Sequence, residues 1–195
     1  THHGTSALGI VSYEPIGVVG MITPWNFPAV TLFQKLPYAL AAGCTVVIKP
    51  SEMTAGTTLE VARLATEAGF PDGVINVVTG KGSVVGNAMV DHPDVDMISF
   101  TGSTEVGRAI GEKCARQVKR AGLELGGKAA NIVFADADLD DALDGVALGT
   151  ILNQGEECVA GTRLLVEKSI AETFTRKLAD RLSRLRVGLP LEDCL

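Results

Sequence analysis

Apolar and polar positions alternate in blocks along the chain. Short runs rich in β-branched residues lie at 16–22 (IGVVGMI), 45–48 (TVVI), 74–78 (VINVV) and 95–100 (VDMISF). Each is bounded by Gly, Pro or Asp, and runs of this length and make-up predict buried strands. Between them the spacing predicts helices over 54–67, 83–90 and 103–118. The first carries Leu59, Ala62, Leu64 and Ala65 and stops before Gly69 and Pro71; the third turns Val106, Ile110 and Val118 toward one inner face. Weaker strand patterns follow at 123–125 and 132–134, and helical ones at 138–148 and 169–185. Strand–helix alternation predicts an α/β fold, a parallel sheet with helices on both faces. The amphipathic helix over 169–185 has no strand pattern after it, so its apolar face is expected to lack a partner here. The chain accordingly reads as a piece of something longer.

Composition narrows the function classes. A chain of 195 residues is one domain or one and a fraction. Hydrophobic residues at 46% and charged ones at 21% suit a packed core rather than a disordered tail. The net charge of −6 offers no broad basic footprint, which argues against nucleic acid as the main partner. No apolar stretch reaches the roughly 18 residues of a membrane span. The cysteines at 44, 114, 158 and 194 are far apart and form no C-x-x-C, so neither zinc nor a dithiol is suggested. The expectation is a reduced, cytoplasmic chain without a metal. His2 and His3 are adjacent but have no partner ligands in sequence, and read as a solvated end.

Five segments carry candidate chemistry. Pro24-Trp25-Asn26-Phe27-Pro28 follows a strand directly. Its prolines frame an amide side chain where α/β ligand crevices form, and Asn26 could donate to an oxyanion. The same segment also reads as a plain turn with Trp25 packed in the core. Lys49-Pro50-Ser51-Glu52 leaves the next strand with a lysine and a carboxylate three apart. That pair suits the two hydroxyls of a ribose, or is an ordinary solvated ion pair. In Phe100-Thr101-Gly102-Ser103-Thr104-Glu105-Val106-Gly107 a strand gives way to a helix, whose free N–H groups make an anion site. The spacing is neither G-x-G-x-x-G nor a P-loop, and Ser103 equally fits an N-cap. Leu123-Glu124-Leu125-Gly126-Gly127-Lys128 sets a carboxylate between two leucines, where desolvation suits it to accept a proton. A glutamate on an outer strand face is the alternative. Finally, Asn153-Gln154-Gly155-Glu156-Glu157-Cys158-Val159-Ala160-Gly161 places Cys158 among small residues near an expected helix start, which favours a thiolate. Cys44 and Cys114 fit the pattern of buried, inert cysteines.

In this order the five segments resemble the aldehyde dehydrogenase superfamily, over about Glu14 to Gly188. The resemblance implies an internal fragment with three parts. Residues 1–14 would end an oligomerisation β-arm. Residues 15–126 would be a partial, Rossmann-like dinucleotide-binding domain. Residues 127–195 would open a second α/β catalytic domain. It implies Cys158 as nucleophile, Asn26 and the Cys158 N–H as oxyanion donors, and Glu124 as the group that activates water. Lys49 and Glu52 would take the adenosine ribose and Ser103, after Gly102, the pyrophosphate. Trp25, Gly82, Gly86 and Leu125 would lie against the cofactor. Glu52 favours a free 2′-hydroxyl, so NAD is expected, with NADP possible through Lys49. A small-molecule aldehyde is the implied substrate, and a homodimer or homotetramer the implied parent. Alternatives are a coenzyme A-acylating semialdehyde dehydrogenase, which Glu124 argues against, an inactive fragment, or a silent dinucleotide-binding relative. Glu156 and Glu157 set two carboxylates beside the nucleophile; they read as selectors for a cationic aldehyde or as paired, solvated side chains.

Overall fold

The computed structural model describes residues 8–189 and divides the chain into two compact units, Thr1–Glu124 and Leu125–Leu195. His2, His3 and Cys194 lie outside the described residues, as does half of the expected β-arm end; residues 8–17 form neither helix nor strand.

In the first unit the apolar runs become strands β1 (Val18–Ile22), β2 (Thr45–Lys49), β3 (Ile75–Val77) and β4 (Met97–Thr101). A fifth strand, β5 (Arg120–Glu124), is longer than the pattern at 123–125 predicts and ends before Leu125. All pairings are parallel, in the order β3-β2-β1-β4-β5. The chain therefore runs outward from β1 in one direction, then returns to add β4 on β1's other side. In such doubly wound sheets the crevice at the reversal, beyond the strand C-termini, is where ligands bind.

Helices cover both faces. Two short ones, α1 (Pro28–Phe33) and α2 (Leu36–Ala41), have no counterpart in the periodicity; each carries proline in its first turn, where a missing N–H costs nothing. Their Leu32 and Leu36 pack with Val19, Met21, Val46 and Ile48 in the main core. Helix α3 (Ala55–Glu67) joins this side through Val61, while Leu59 and Leu64 stay exposed. On the opposite face a π-helical turn (Gly82–Gly86) runs into α4 (Asn87–Asp91), whose Met89 fills the space left by Gly20. Helix α5 (Thr104–Arg116) buries Gly107, Ile110 and Cys114. Two residues expected on its inner face are not there: Val106 is half exposed and Val118 lies beyond the helix, 93% exposed. Val118 closes the helix end in a left-handed conformation (φ 58°), with the Lys119 N–H reaching back to Cys114 O.

The second unit holds β6 (Ala130–Val133), α6 (Leu139–Ile151), a short 3₁₀ turn (Leu152–Gly155), β7 (Arg163–Val166) and α7 (Ala171–Ser183). Strand β7 was not predicted; it pairs in parallel with β6. Asp138 caps α6 by accepting from the N–H groups of Asp140 and Asp141. Helix α7 corrects the expectation of an unpartnered apolar face. Its Phe174 is fully buried with Val133, Leu143 and Val146, and Leu164, Val166 and Leu178 pack around them.

Candidate active site

Because the sheet is parallel, the C-terminal ends of its strands share one edge, and sequence-predicted residues gather there. Asn26 is half-buried in the bend between β1 and α1; Trp25 beside it is 41% exposed, so the alternative of a core tryptophan does not hold. The bend is pinned where Phe27 O accepts from both the N–H and the hydroxyl of Thr31. Lys49 ends β2 and is only 2% exposed, an unusual place for an ammonium group. Its charge is met by Pro50 O at 2.7 Å and Glu52 Oε2 at 3.4 Å. Glu52 keeps its carboxylate in solvent. Its backbone N–H, and then the Lys49 ammonium, hold its carboxyl below the usual range.

The α5 start has the geometry of an anion site and of a cap at once. Ser103 is exposed at the N-cap, and its Oγ accepts from the Val106 N–H at 3.3 Å. Gly102 donates its N–H to Glu124 O, tying the β4 exit to the β5 end. Gly102 is required for packing as well, because a Cβ there would meet the Phe100 ring at 2.5 Å. Gly82 and Gly86 bound the π-helical turn; Gly86 is buried and faces the Lys49 stem, whereas Gly82 faces open space. Two groups at this edge escaped the sequence reading. The hydroxyls of Thr23, just past β1, and Thr101, ending β4, are buried without a hydrogen-bond partner at the reversal point. A threonine hydroxyl carries no sequence signal of that kind.

Glu124 ends β5 and is exposed within its unit, so the desolvation expected from its leucine neighbours is not found there. It lines a cleft of about 620 Å³ on the α2 face of the sheet, floored by Val19, Met21 and Met97. Lys35 lines the same cleft and was also missed, being a lone lysine between two short helices. Burial pushes its ammonium below the ordinary value, opposed by the Glu124 charge. Leu125 follows as a half-buried residue outside any strand.

Cys158 lies in the second unit, exposed on a turn rather than at the expected helix start. Cys44 and Cys114 are buried as expected, and burial raises the Cys114 thiol. The turn is approached through Asn153, Gln154 and Gly155, all left-handed at φ 49°, 62° and 72°. For the two non-glycine residues this costs roughly 1–3 kcal/mol each, and such strain persists only where surrounding contacts hold it. The holding contacts are visible. Lys128 Nζ donates to Gly155 O at 2.7 Å and Glu157 O at 3.0 Å. Glu156 N–H donates to Asn153 O, and Ala160, 1% exposed, donates its N–H to Glu157 O. Behind the turn, Asn131 Nδ2 donates to Gly161 O at 2.7 Å, and a Cβ on Gly161 would strike the Asn131 side chain. A Cβ on Gly127 would press to 3.1 Å on Cys158 O. Glu156 is exposed and Glu157 half-buried. Among the described residues no group of His, Cys, Asp and Glu could hold a metal ion, and no helix is long and apolar enough to cross a membrane.

Comparison with known proteins adds independent weight. The aldehyde dehydrogenase family pattern matches residues 2–194. The chain is 48% identical to succinate-semialdehyde dehydrogenase [NADP(+)] of Escherichia coli (strain K12), over 94% of this chain and 38% of that protein. It is 49% identical to aldehyde dehydrogenase 1A1 of Oryctolagus cuniculus, over 92% and 36%. The solved structure of an NAD-dependent aldehyde dehydrogenase from Sinorhizobium meliloti superposes with a TM-score of 0.91 at 53% identity, covering 93% of this chain and 36% of that one. The chain thus spans little more than a third of these relatives' length. A match along nearly the whole sequence, joined to the doubly wound sheet and the braced cysteine turn, places the chain in the aldehyde dehydrogenase family.

Proposed function

We propose that the protein carrying this chain oxidises an aldehyde to a carboxylic acid, with Cys158 as nucleophile and a nicotinamide dinucleotide as acceptor. The observation that carries the reading is the exposed Cys158 on a turn whose left-handed approach is held by Lys128. The Cys158 thiolate adds to the aldehyde carbon; a C–S bond forms and the carbonyl electron pair moves to oxygen. The Cys158 N–H and the Asn26 amide are the proposed donors to that oxyanion. Its collapse expels the aldehydic hydrogen with its bonding pair and leaves a thioester on Cys158. When bound, the oxidised dinucleotide supplies the acceptor for that hydride. Glu124 then takes a proton from water, which attacks the thioester and releases the acid and the thiolate.

The first unit suits the dinucleotide on the chemistry of its donors. The Lys49–Glu52 pair offers one donor and one acceptor for ribose hydroxyls. The α5 N-terminus offers N–H groups for phosphate, with Gly102 and Ser103 at its approach, and the unpartnered hydroxyls of Thr23 and Thr101 lie at the reversal point. Trp25, Gly82, Gly86 and Leu125 complete the proposed contacts. In this reading residues 15–126 are the dinucleotide-binding domain and residues 127–195 open the catalytic domain. Glu52 repels a 2′-phosphate, so NAD is the preferred acceptor and NADP the secondary one. The reaction takes place in the cytoplasm, in a homodimer or homotetramer. The test is a panel of cationic, neutral and anionic aldehydes with NAD and NADP, run on wild type and Cys158→Ala. NADH formation lost in the variant while NAD binding persists supports the reading; an active Cys158→Ala enzyme removes it.

A further inference from the structure

The carbonyl gripped by Lys128 belongs to the peptide whose N–H is that of Cys158. Lys128 Nζ donates to Glu157 O at 3.0 Å, and the same oxygen accepts from the Ala160 N–H at 3.2 Å. A trans peptide is planar, so holding its oxygen fixes the direction of its N–H, which points the opposite way. Peptide resonance shifts electron density from nitrogen to oxygen. A cation on the oxygen favours that polarised form and makes the N–H a better donor. Bonds linked in this way strengthen one another by roughly 10–30%, and charge-assisted bonds are about twice as strong as neutral ones.

The lysine is itself held in place. Arg163 Nε donates to Lys128 O at 3.2 Å, from the first residue of β7. Its neighbour Gly127 leaves room for the Cys158 carbonyl that a side chain would displace. The second bond of Lys128, to Gly155 O, ends the left-handed stretch from Asn153 to Gly155. One ammonium group therefore joins the strained approach of the turn to the peptide bond of the cysteine.

We propose that Lys128 is a positioning residue that aims and polarises the Glu157–Cys158 peptide, so that the Cys158 N–H is a strengthened donor to the oxyanion. The proposal rests on the reading of Cys158 as nucleophile. Lys128 acts through this peptide and contacts no substrate atom in the role. It predicts a defect confined to steps that build negative charge on oxygen.

The test compares two reactions of the same thiol in the full-length enzyme, in Lys128→Met and Lys128→Arg. One is the pre-steady-state NADH burst with a neutral aldehyde, which passes through the oxyanion. The other is alkylation of Cys158 by iodoacetamide, which expels iodide and forms no oxyanion. Lys128→Met should slow the burst about tenfold, less than the 10²–10³ lost when an entire oxyanion donor is deleted. Alkylation should stay within about twofold of wild type, NAD affinity should not move, and Lys128→Arg should recover most of the burst. An unchanged burst in Lys128→Met overturns the proposal. So does an equal loss in both reactions without recovery in Lys128→Arg, which would make Lys128 a support of the loop alone. Full turnover by Cys158→Ala would instead remove the nucleophile reading beneath it.

Discussion

Single residues here carry loads that their types do not announce. Val118 is a β-branched residue at φ 58°, where glycine or asparagine is usual, and its side chain is 93% exposed. The left-handed conformation costs an L-residue roughly 1–2 kcal/mol, and glycine's extra chain entropy costs about 0.5–1. With no packing to lose, the backbone term wins. Val118→Gly should stabilise by up to about 1 kcal/mol and raise the thermal midpoint by a few degrees; a lower midpoint would show that Val118 packs against something. Glu52 is the second case. Its carboxylate is exposed beside Lys49, so Glu52→Gln should improve the specificity constant for NADP relative to NAD by about fivefold or more. Unchanged ratios would assign the choice of acceptor to other residues. Neither Val118 nor Lys128 was legible in the sequence. A left-handed φ at valine has no signature, and Lys128 bonds carbonyls 27 and 29 positions away.

At the scale of elements, β1 to β4 were legible because each lies in a short run rich in β-branched residues closed by turn residues. What escaped did so for physical reasons. Helices α1 and α2 are six residues each and carry prolines in their first turns that, in sequence, read as punctuation. Strand β7 is four residues, RLLV, opening on a charged residue and followed by Glu167, and only its pairing with β6 makes it a strand. Helix α7 was legible as amphipathic, but its partner surface was not. Phe174 is its anchor, and Phe174→Ala should cost the second unit about 3–5 kcal/mol. Thermal melts of the variant check this; a shift under a degree would mean the site collapses without a cavity. The exit of β6 is tied to the end of β7 by Glu167, which accepts from the Ala135 N–H and the Ser169 hydroxyl. These bonds hold its carboxyl below the usual value. Its stabilisation is therefore present above the unfolded-state pKa and lost as pH falls through the lower, folded-state one. Glu167→Gln should lower the midpoint at pH 7, and the gap to wild type should close as pH drops below about 4. A gap independent of pH would mean that charge plays no part.

At the scale of the whole molecule, the ordered set of five segments carries the family assignment from sequence alone, and the match over residues 2–194 agrees with it. The parallel sheet and its two helical faces were equally legible from strand–helix alternation. The local environment of the catalytic candidates was not. Glu124 is exposed in its unit and Cys158 lies on a turn entered through a left-handed stretch, because burial and backbone conformation depend on contacts distant in sequence. The central claim is covalent catalysis by Cys158, and trapping the acyl-enzyme tests it most directly. In the full-length enzyme carrying Glu124→Gln, hydrolysis should be slowed more than hydride release. Mixing with NAD and an aldehyde, quenching in acid and mapping peptides by mass spectrometry should find the acyl group on the Cys158 peptide, with about one NADH formed per site in the burst. An unmodified Cys158 peptide during undiminished NADH formation would contradict the account.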